Sequence, residues 1–237
     1  MIRIRSIAPH TKESLQDREM KLKRRRAAQE VVIETVCLPE GPLVLENEYQ
    51  AAQAAWPLVR EVMKAEVDGV DAVIIDCFLD PAIDACREAT SLPVVGPGQA
   101  GIMTSLCLGD RVGVICPNEM GMTCARRVMK KYRVEKHISY WDSALEGAED
   151  MHKDPDKTRD ALIRVCRKAA VSGKCDVILL GCTAFEPYWE DVKDEAQIPI
   201  PVINPFPCAV KLAELFVRLG VSQSKLCYPR QQVTFDA

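Results

Sequence analysis

Two cysteines invite a chemical reading because the residues around them repeat. Val70-Asp-Ala-Val-Ile-Ile-Asp-Cys77 and Cys175-Asp-Val-Ile-Leu-Leu-Gly-Cys182 each carry a short apolar run into a cysteine, and the two thiols lie 105 positions apart. An ordinary thiol titrates at about 8.5, so a modest depression lets it take or give a proton at cellular pH. Two such groups on opposite faces of one carbon can remove a proton from one side and return it on the other. That chemistry inverts a stereocentre and needs no redox cofactor. The carbanion or enolate formed on the way requires hydrogen-bond donors. The backbone amides just beyond each cysteine, at Phe78, Leu79, Thr183 and Ala184, are the candidates. A buried thiol elsewhere is a small hydrophobe, and Cys86, Cys124 and Cys166 fall at helical positions where packing accounts for them.

The elements that must position the pair also repeat. Leu58-Val-Arg60, Lys64-Ala65, Val67 and Gly69 recur as Leu162-Ile-Arg164, Lys168-Ala169, Val171 and Gly173, and Leu92-Pro-Val-Val-Gly-Pro97 recurs as Ile200-Pro-Val-Ile-Asn-Pro205. Three blocks in one order indicate a duplication, and hence two α/β units related by an approximate two-fold axis. Short continuous apolar runs at Val73–Asp76 and Val177–Leu180 suit parallel strands covered on both faces. Strands are also expected at 2–7, 31–36, 92–95, 111–116, 137–141 and 201–203. Helices are expected at 13–29, 46–65, 81–88, 98–108, 121–132, 156–172 and 208–219. Their alternation predicts parallel sheets with right-handed crossovers. The domains expected are 1–97 plus 207–237, and 98–206. Ligands of such sheets bind beyond the carboxyl ends of the strands, which puts Cys77 and Cys182 at a shared cleft. Asp80-Pro81 reads as a helix cap followed by proline in the first turn, and a helix start there favours a thiolate.

Composition narrows the class of protein. The 237 residues are 48% hydrophobic and 27% charged with a net charge of −3, which suits a globular protein and gives no electrostatic case for nucleic acid or an anionic membrane. The basic run Lys21–Arg26 reads as a solvated helix face. No apolar run is long enough to span a bilayer, and the N-terminus reads as a strand. Eleven cysteines without a Cys-x-x-Cys pair, and no targeting signal, predict a reduced, cytoplasmic protein. The three histidines, His10, His137 and His152, lack metal-ligand spacing. No metal and no cofactor are expected; the expected partner is a small-molecule substrate, and a homo-oligomer is left open.

Cys77-Phe-Leu-Asp-Pro-Ala82, followed by Leu92-Pro-Val-Val-Gly96, resembles the first cysteine motif of the hydantoin racemase family, which runs Cys-Phe-Gly-Asp-Pro-Gly. That family includes allantoin racemases and belongs to the aspartate/glutamate racemase superfamily. Leu180-Gly-Cys-Thr-Ala184 resembles the second cysteine motif. Ile7-Ala-Pro-His-Thr11 is similar to the substrate-binding turn Asn-Pro-Asn-Thr, and Gly41–Glu46, Ile200–Asn204 and Ala209–Glu214 also match. The resemblance covers almost the whole chain. It implies two flavodoxin-like domains, an active site in the cleft between them, and acid–base catalysis by Cys77 and Cys182 without pyridoxal phosphate or metal. Pro9, His10 and Thr11 would line the substrate pocket, with Phe78, Leu79, Asp80, Thr183, Ala184 and Phe185 around the thiols.

Several positions depart from the motifs. Leu79 and Ala82 replace the two glycines, and Ala8 and His10 replace the two asparagines. Phe78, Leu79 and Phe185 suggest a pocket less polar than free aspartate or glutamate would want, so a 5-substituted hydantoin or related cyclic amide fits better. Aspartate/glutamate-type racemisation and maleate-isomerase-like chemistry are the alternatives within the superfamily. Outside it stand a non-catalytic ligand-binding protein and an NAD-binding dehydrogenase, the latter because Gly96-Pro-Gly-Gln-Ala-Gly101 fits G-x-G-x-x-G after a strand. Pro97 in that turn, and the absence of glycines from the repeated segment Asn204–Cys208, weigh against a dinucleotide.

Overall fold

The computed structural model describes residues 1–11, 30–145, 151, 154–195 and 198–230. The helix expected at 13–29 lies outside them. The chain divides into two compact units, one formed by 1–76, 80–96 and 209–237, the other by 77–79 and 97–208.

The first unit holds a four-stranded parallel sheet of β1 (Ile2–Ala8), β2 (Val31–Cys37), β3 (Ala72–Ile75) and β4 (Val94–Val95), in the order β2-β1-β3-β4. The second holds β5 (Val112–Cys116), β6 (Ile138–Ser143), β7 (Val177–Leu180) and β8 (Val202–Ile203), in the order β6-β5-β7-β8. The two orders are the same once the second set is renumbered, and each is the doubly wound order in which chain direction reverses beside the first strand. The registers match as well: Ile4 aligns with Ala72, and Val112 with Val177. The duplication expected from the repeated blocks is therefore present in the strand pairing.

β3 and β7 are buried at every residue. Their unbroken apolar sequences are what a central strand covered on both faces requires. In the first unit, α1 (Glu48–Val67) and α2 (Ile83–Ala89) pack Leu58, Val62, Ala65, Ile83 and Cys86 against Ile7, Val73 and Ile75. In the second, α5 (Pro155–Val171) covers one face of the sheet through Leu162, Val165 and Ala169. The other face carries α3 (Pro97–Leu106) and α4 (Glu119–Lys131), which bury Ile102, Ala125 and Met129 against Val112, Val114 and Leu179. The short α6 (Trp189–Lys193) and the long α7 (Pro205–Leu219) complete the helices. No helix among the described residues is long and apolar enough to cross a membrane.

Caps set the ends of the two crossover helices. Asn47 starts α1 by accepting the Gln50 amide at 3.0 Å, and Asp154 starts α5 by accepting that of Lys157 at 3.0 Å, each satisfying a donor the helix cannot. Just past their ends, Gly69 and Gly173 adopt φ of 70° and 65°, a left-handed turn that glycine enters without steric cost. The chain then enters β3 or β7 through an aspartate that caps the neighbouring strand. Asp71 accepts the amide of Arg3 at 2.7 Å, and Asp176 that of Arg111 at 3.1 Å. Each arginine donates from its guanidinium to the carbonyl of the capping glycine, at 3.3 Å for Arg3 and Gly69 and at 2.8 Å for Arg111 and Gly173.

β4 is an edge strand, and the residues after α7 close it. The Gln223 side chain both accepts from the Val94 amide at 2.9 Å and donates to the Val94 carbonyl at 3.0 Å. Lys225 donates to the Arg87 and Thr90 carbonyls at the end of α2, where a cation suits the helix dipole. The buried guanidinium of Arg87 meets the Tyr228 hydroxyl at 3.2 Å and the Val94 carbonyl at 3.2 Å.

Candidate active site

β1 delivers the turn of Ala8, Pro9, His10 and Thr11. The turn is fixed from below by the loop after β2: the Leu38 amide donates to the His10 carbonyl at 3.0 Å, and the Thr11 amide donates to the Pro42 carbonyl at 2.9 Å. His10 lies half-buried, and its Nδ1 is shielded from solvent without a hydrogen-bond partner among the described residues. A shielded ring nitrogen left unsatisfied is costly, and such a group is suited to meeting a polar atom of a ligand.

β3 delivers Cys77, which is half-buried. Just before it, the Asp76 amide donates to the Ile7 carbonyl at 2.8 Å, and the Asp76 carboxylate accepts from the Ser6 hydroxyl at 3.1 Å. After Cys77 the chain does not run straight into a helix. Asp80 has φ of 46°, Ala82 has φ of 51°, and α2 begins only at Ile83. The expected cap and first-turn pairing of Asp80 and Pro81 is thus corrected: both lie in a turn, and Ala82 is the residue before the helix, with no side-chain cap. Aspartate is among the few residues other than glycine that enter the left-handed region; an alanine there is strained. The glycine of the resembling motif at position 82 has its physical reason in that φ. Asp80 itself is buried, and its carboxyl group rests on the α-carbon of Gly96 so closely that any side chain at 96 would overlap it.

β7 delivers Cys182, also half-buried. Gly181 before it donates to the Ile115 carbonyl at 2.7 Å. A Cβ on Gly181 would stand 2.9 Å from the Cys116 sulfur, so glycine is needed for close approach to β5. Burial, and next the charge of Cys182, push the Cys116 thiol far above its ordinary range; Cys116 is a neutral neighbour of Cys182. The residues after Cys182 form a 3-10 helix, Thr183–Tyr188, and the Phe185 amide donates to the Cys182 carbonyl at 3.3 Å.

Two of the expected lining residues are core side chains. Phe78 is 2% exposed and packs in the second unit with Ile102, Val114 and Leu179; Phe185 is fully buried with Leu162, Ile178 and Leu180. Each anchors the peptide next to a thiol through its buried side chain. Leu79, Thr183 and Ala184 are half-buried. Gly96 and Gly101 of this segment serve packing: Gly96 admits Asp80, and a Cβ on Gly101 would stand 2.9 Å from both Leu179 and Pro205. No group of three or more metal-ligating side chains occurs among the described residues. Ser6 and Asp76 were not among the residues expected at the site, although the contrast of Asp76 with Gly181 is visible when the two cysteine blocks are aligned.

The pattern of the family described as Asp/Glu/Hydantoin racemase matches residues 6–213. The chain belongs to this family. It is 26% identical over 225 residues to the hydantoin racemase of Paenarthrobacter aurescens, covering 94% of both chains. It is 29% identical over 186 residues to the hydantoin racemase of Pseudomonas sp. (strain NS671), covering 78% of this chain and 74% of that one. Among solved structures, the allantoin racemase from Klebsiella pneumoniae superposes with a TM-score of 0.85 at 25% identity, over 99% of this chain and 96% of that one. The allantoin racemase from Pseudomonas fluorescens shares the fold with a TM-score of 0.89 over the whole of both chains. Glutamate racemase RacE1 from Bacillus anthracis, with a TM-score of 0.61, shares it more distantly. Membership of this racemase family places the chain among the isomerases.

Proposed function

We propose that this family member inverts a stereocentre next to a carbonyl by two-base proton transfer, with Cys77 and Cys182 on opposite faces of the reacting carbon. The observation that carries the proposal is positional. Each thiol stands two residues past a central strand, β3 ending at Ile75 and β7 ending at Leu180, in sheets of matching order and register. Core packing does not require cysteine at both equivalent strand ends. The substrate is a 5-substituted hydantoin or a related cyclic amide. Its carbon-bound proton is flanked by a ring carbonyl, so an enolate can form without an electron-sink cofactor, and the curated relatives named for hydantoin support that class. One thiolate takes the proton, the enolate oxygen is held by amides from Phe78, Leu79, Thr183 and Ala184, and the opposite thiol returns a proton. Pro9, His10 and Thr11 hold the ring, with the unsatisfied His10 nitrogen directed to a substrate heteroatom.

A polarimetric comparison of 5-substituted hydantoins, allantoin, aspartate and glutamate in one buffer tests the substrate class; the cyclic amides should lose rotation and the free amino acids should not. In deuterium oxide the substrate should gain deuterium at the inverted carbon. Cys77→Ser and Cys182→Ser should each abolish inversion, and normal racemisation by both variants would reject the mechanism.

A further inference from the structure

The second unit carries a buried donor that its own packing leaves over. Asn204 follows β8, precedes α7 and is 2% exposed. Its Oδ1 accepts the Phe206 amide at 3.1 Å, and its carbonyl accepts the Cys208 thiol at 3.3 Å. The first of these bonds makes Asn204 the cap of α7 and fixes which way the carboxamide is turned. Its Nδ2 is shielded from solvent and has no hydrogen-bond partner among the described residues. Leaving such a donor unpaired is costly, and a cap needs only the oxygen. Pro205 and Pro207 have no amide hydrogen, and that of Phe206 is taken by the cap, so Nδ2 is the donor that this strand end presents. The first unit has no counterpart, because Gly96 holds the equivalent place in the repeat.

Strand register places this donor on the side of the sheet that Cys182 occupies. Ile178 aligns with Val202 and Leu179 with Ile203, so Asn204 comes level with Leu180. Residues two apart on a strand share a face. Ile178, Leu180 and Val202 share one core, and Cys182, extended in its backbone, packs against that same core. Asn204 therefore stands on the face of Cys182, one strand over and about 7 Å short of it along the strand direction. All of these residues belong to the second unit. They lie at the carboxyl ends of parallel strands, where ligands bind.

From this placement we infer that the Asn204 carboxamide binds the substrate carbonyl next to the inverted carbon and stabilises the enolate oxygen. The inference rests on the two-thiol reading above and adds a side-chain donor to it. When the C–H proton leaves for a sulfur, its bonding pair moves toward the neighbouring carbonyl, and negative charge gathers on that oxygen. A fixed N–H at that oxygen binds more strongly as the charge grows, so it favours the transition state over the bound ground state.

The test is steady-state racemisation of 5-benzylhydantoin by the full chain carrying Asn204→Ser or Asn204→Asp. Both residues cap helices about as well as asparagine, so α7 stays capped while the N–H is lost. Each variant should lower kcat by about 10²-fold or more, the loss expected for one oxyanion donor, with KM and the urea midpoint little changed. Asn204→Ser is neutral, so its loss cannot come from a new charge beside the thiol. Asn204→Asp keeps the shape, so its loss cannot come from a cavity. An unchanged kcat in either folded variant would leave Asn204 a cap alone and overturn the assignment, as would a rise in KM with kcat unchanged. Failure of the underlying reading looks different: Cys77→Ser and Cys182→Ser would then racemise normally, whatever the Asn204 variants do.

Discussion

The two sheets are alike where their strands begin and unlike where their strands end. At the entry to the central strands, Arg3, Asp71 and Gly69 in one unit do what Arg111, Asp176 and Gly173 do in the other, down to the same amide-to-carboxylate hydrogen bond. At the exit the two part company. Asp76 stands where the other half has Gly181, a strained turn leads into α2 where a 3-10 helix follows Cys182, and Gly96 stands where the other half has Asn204. Only the cysteine itself is kept at both exits. A duplicated scaffold keeps what every sheet of this order needs, a capped helix and a pinned strand, at the end remote from the two cysteines. It varies the end where ligands of open parallel sheets bind.

The comparison can be broken most sharply at the thiols. Cys77→Ala and Cys182→Ala should each lower racemisation by about 10²- to 10⁴-fold, the range for loss of a positioned acid or base, as measured by polarimetry. A large loss in one variant alone would mean that the exits differ in role altogether. Next in size is Gly96→Ala, which drives a Cβ into the Asp80 carboxyl group. Overpacking of this kind costs about 1–3 kcal/mol, read as a lower urea midpoint. An unchanged midpoint would show that the first exit is as tolerant as the second.

Buried thiols supply a pH test. Burial pushes Cys86 in the first unit and Cys166 in the second up to about 12, well above an ordinary thiol. A group raised by folding gives its full stabilisation below the unfolded value and loses it as pH rises. The urea midpoint should therefore fall between about pH 9 and 12, and Cys86→Val or Cys166→Val should each flatten that fall. Equal slopes in the variants and the parent would assign the alkaline loss to other groups. The smallest effect expected is a gain: Ala82→Gly relieves a left-handed alanine and should raise the unfolding free energy by roughly 0.5–1 kcal/mol, read as a higher urea midpoint.

Most of the architecture could be read before any coordinates, because buried parallel strands must be short and apolar and a duplication prints them twice. Val73–Ile75 and Val177–Leu180 were plain for that reason. Local turn geometry was harder to read. Asp80-Pro81 carries the residue types of a helix start, yet tertiary contact with Gly96 and two left-handed residues postpones α2 to Ile83. Phe78 and Phe185 stand beside the thiols in the chain and suggest lining, but one lies in the turn after Cys77 and the other in the 3-10 helix after Cys182, and each side chain is buried in a core. The Ser6–Asp76 hydrogen bond joins residues 70 positions apart, and no local pattern announces such a pair.

The carboxamide of Gln223 has a consequence for anyone who shortens or extends this chain. By occupying both backbone groups of Val94, it does the work of a fifth strand and leaves that border of the sheet with no vacancy for a stranger's backbone. A truncation ahead of residue 223 would uncover an adhesive margin of main chain, and its first symptom would be self-association in concentrated solution.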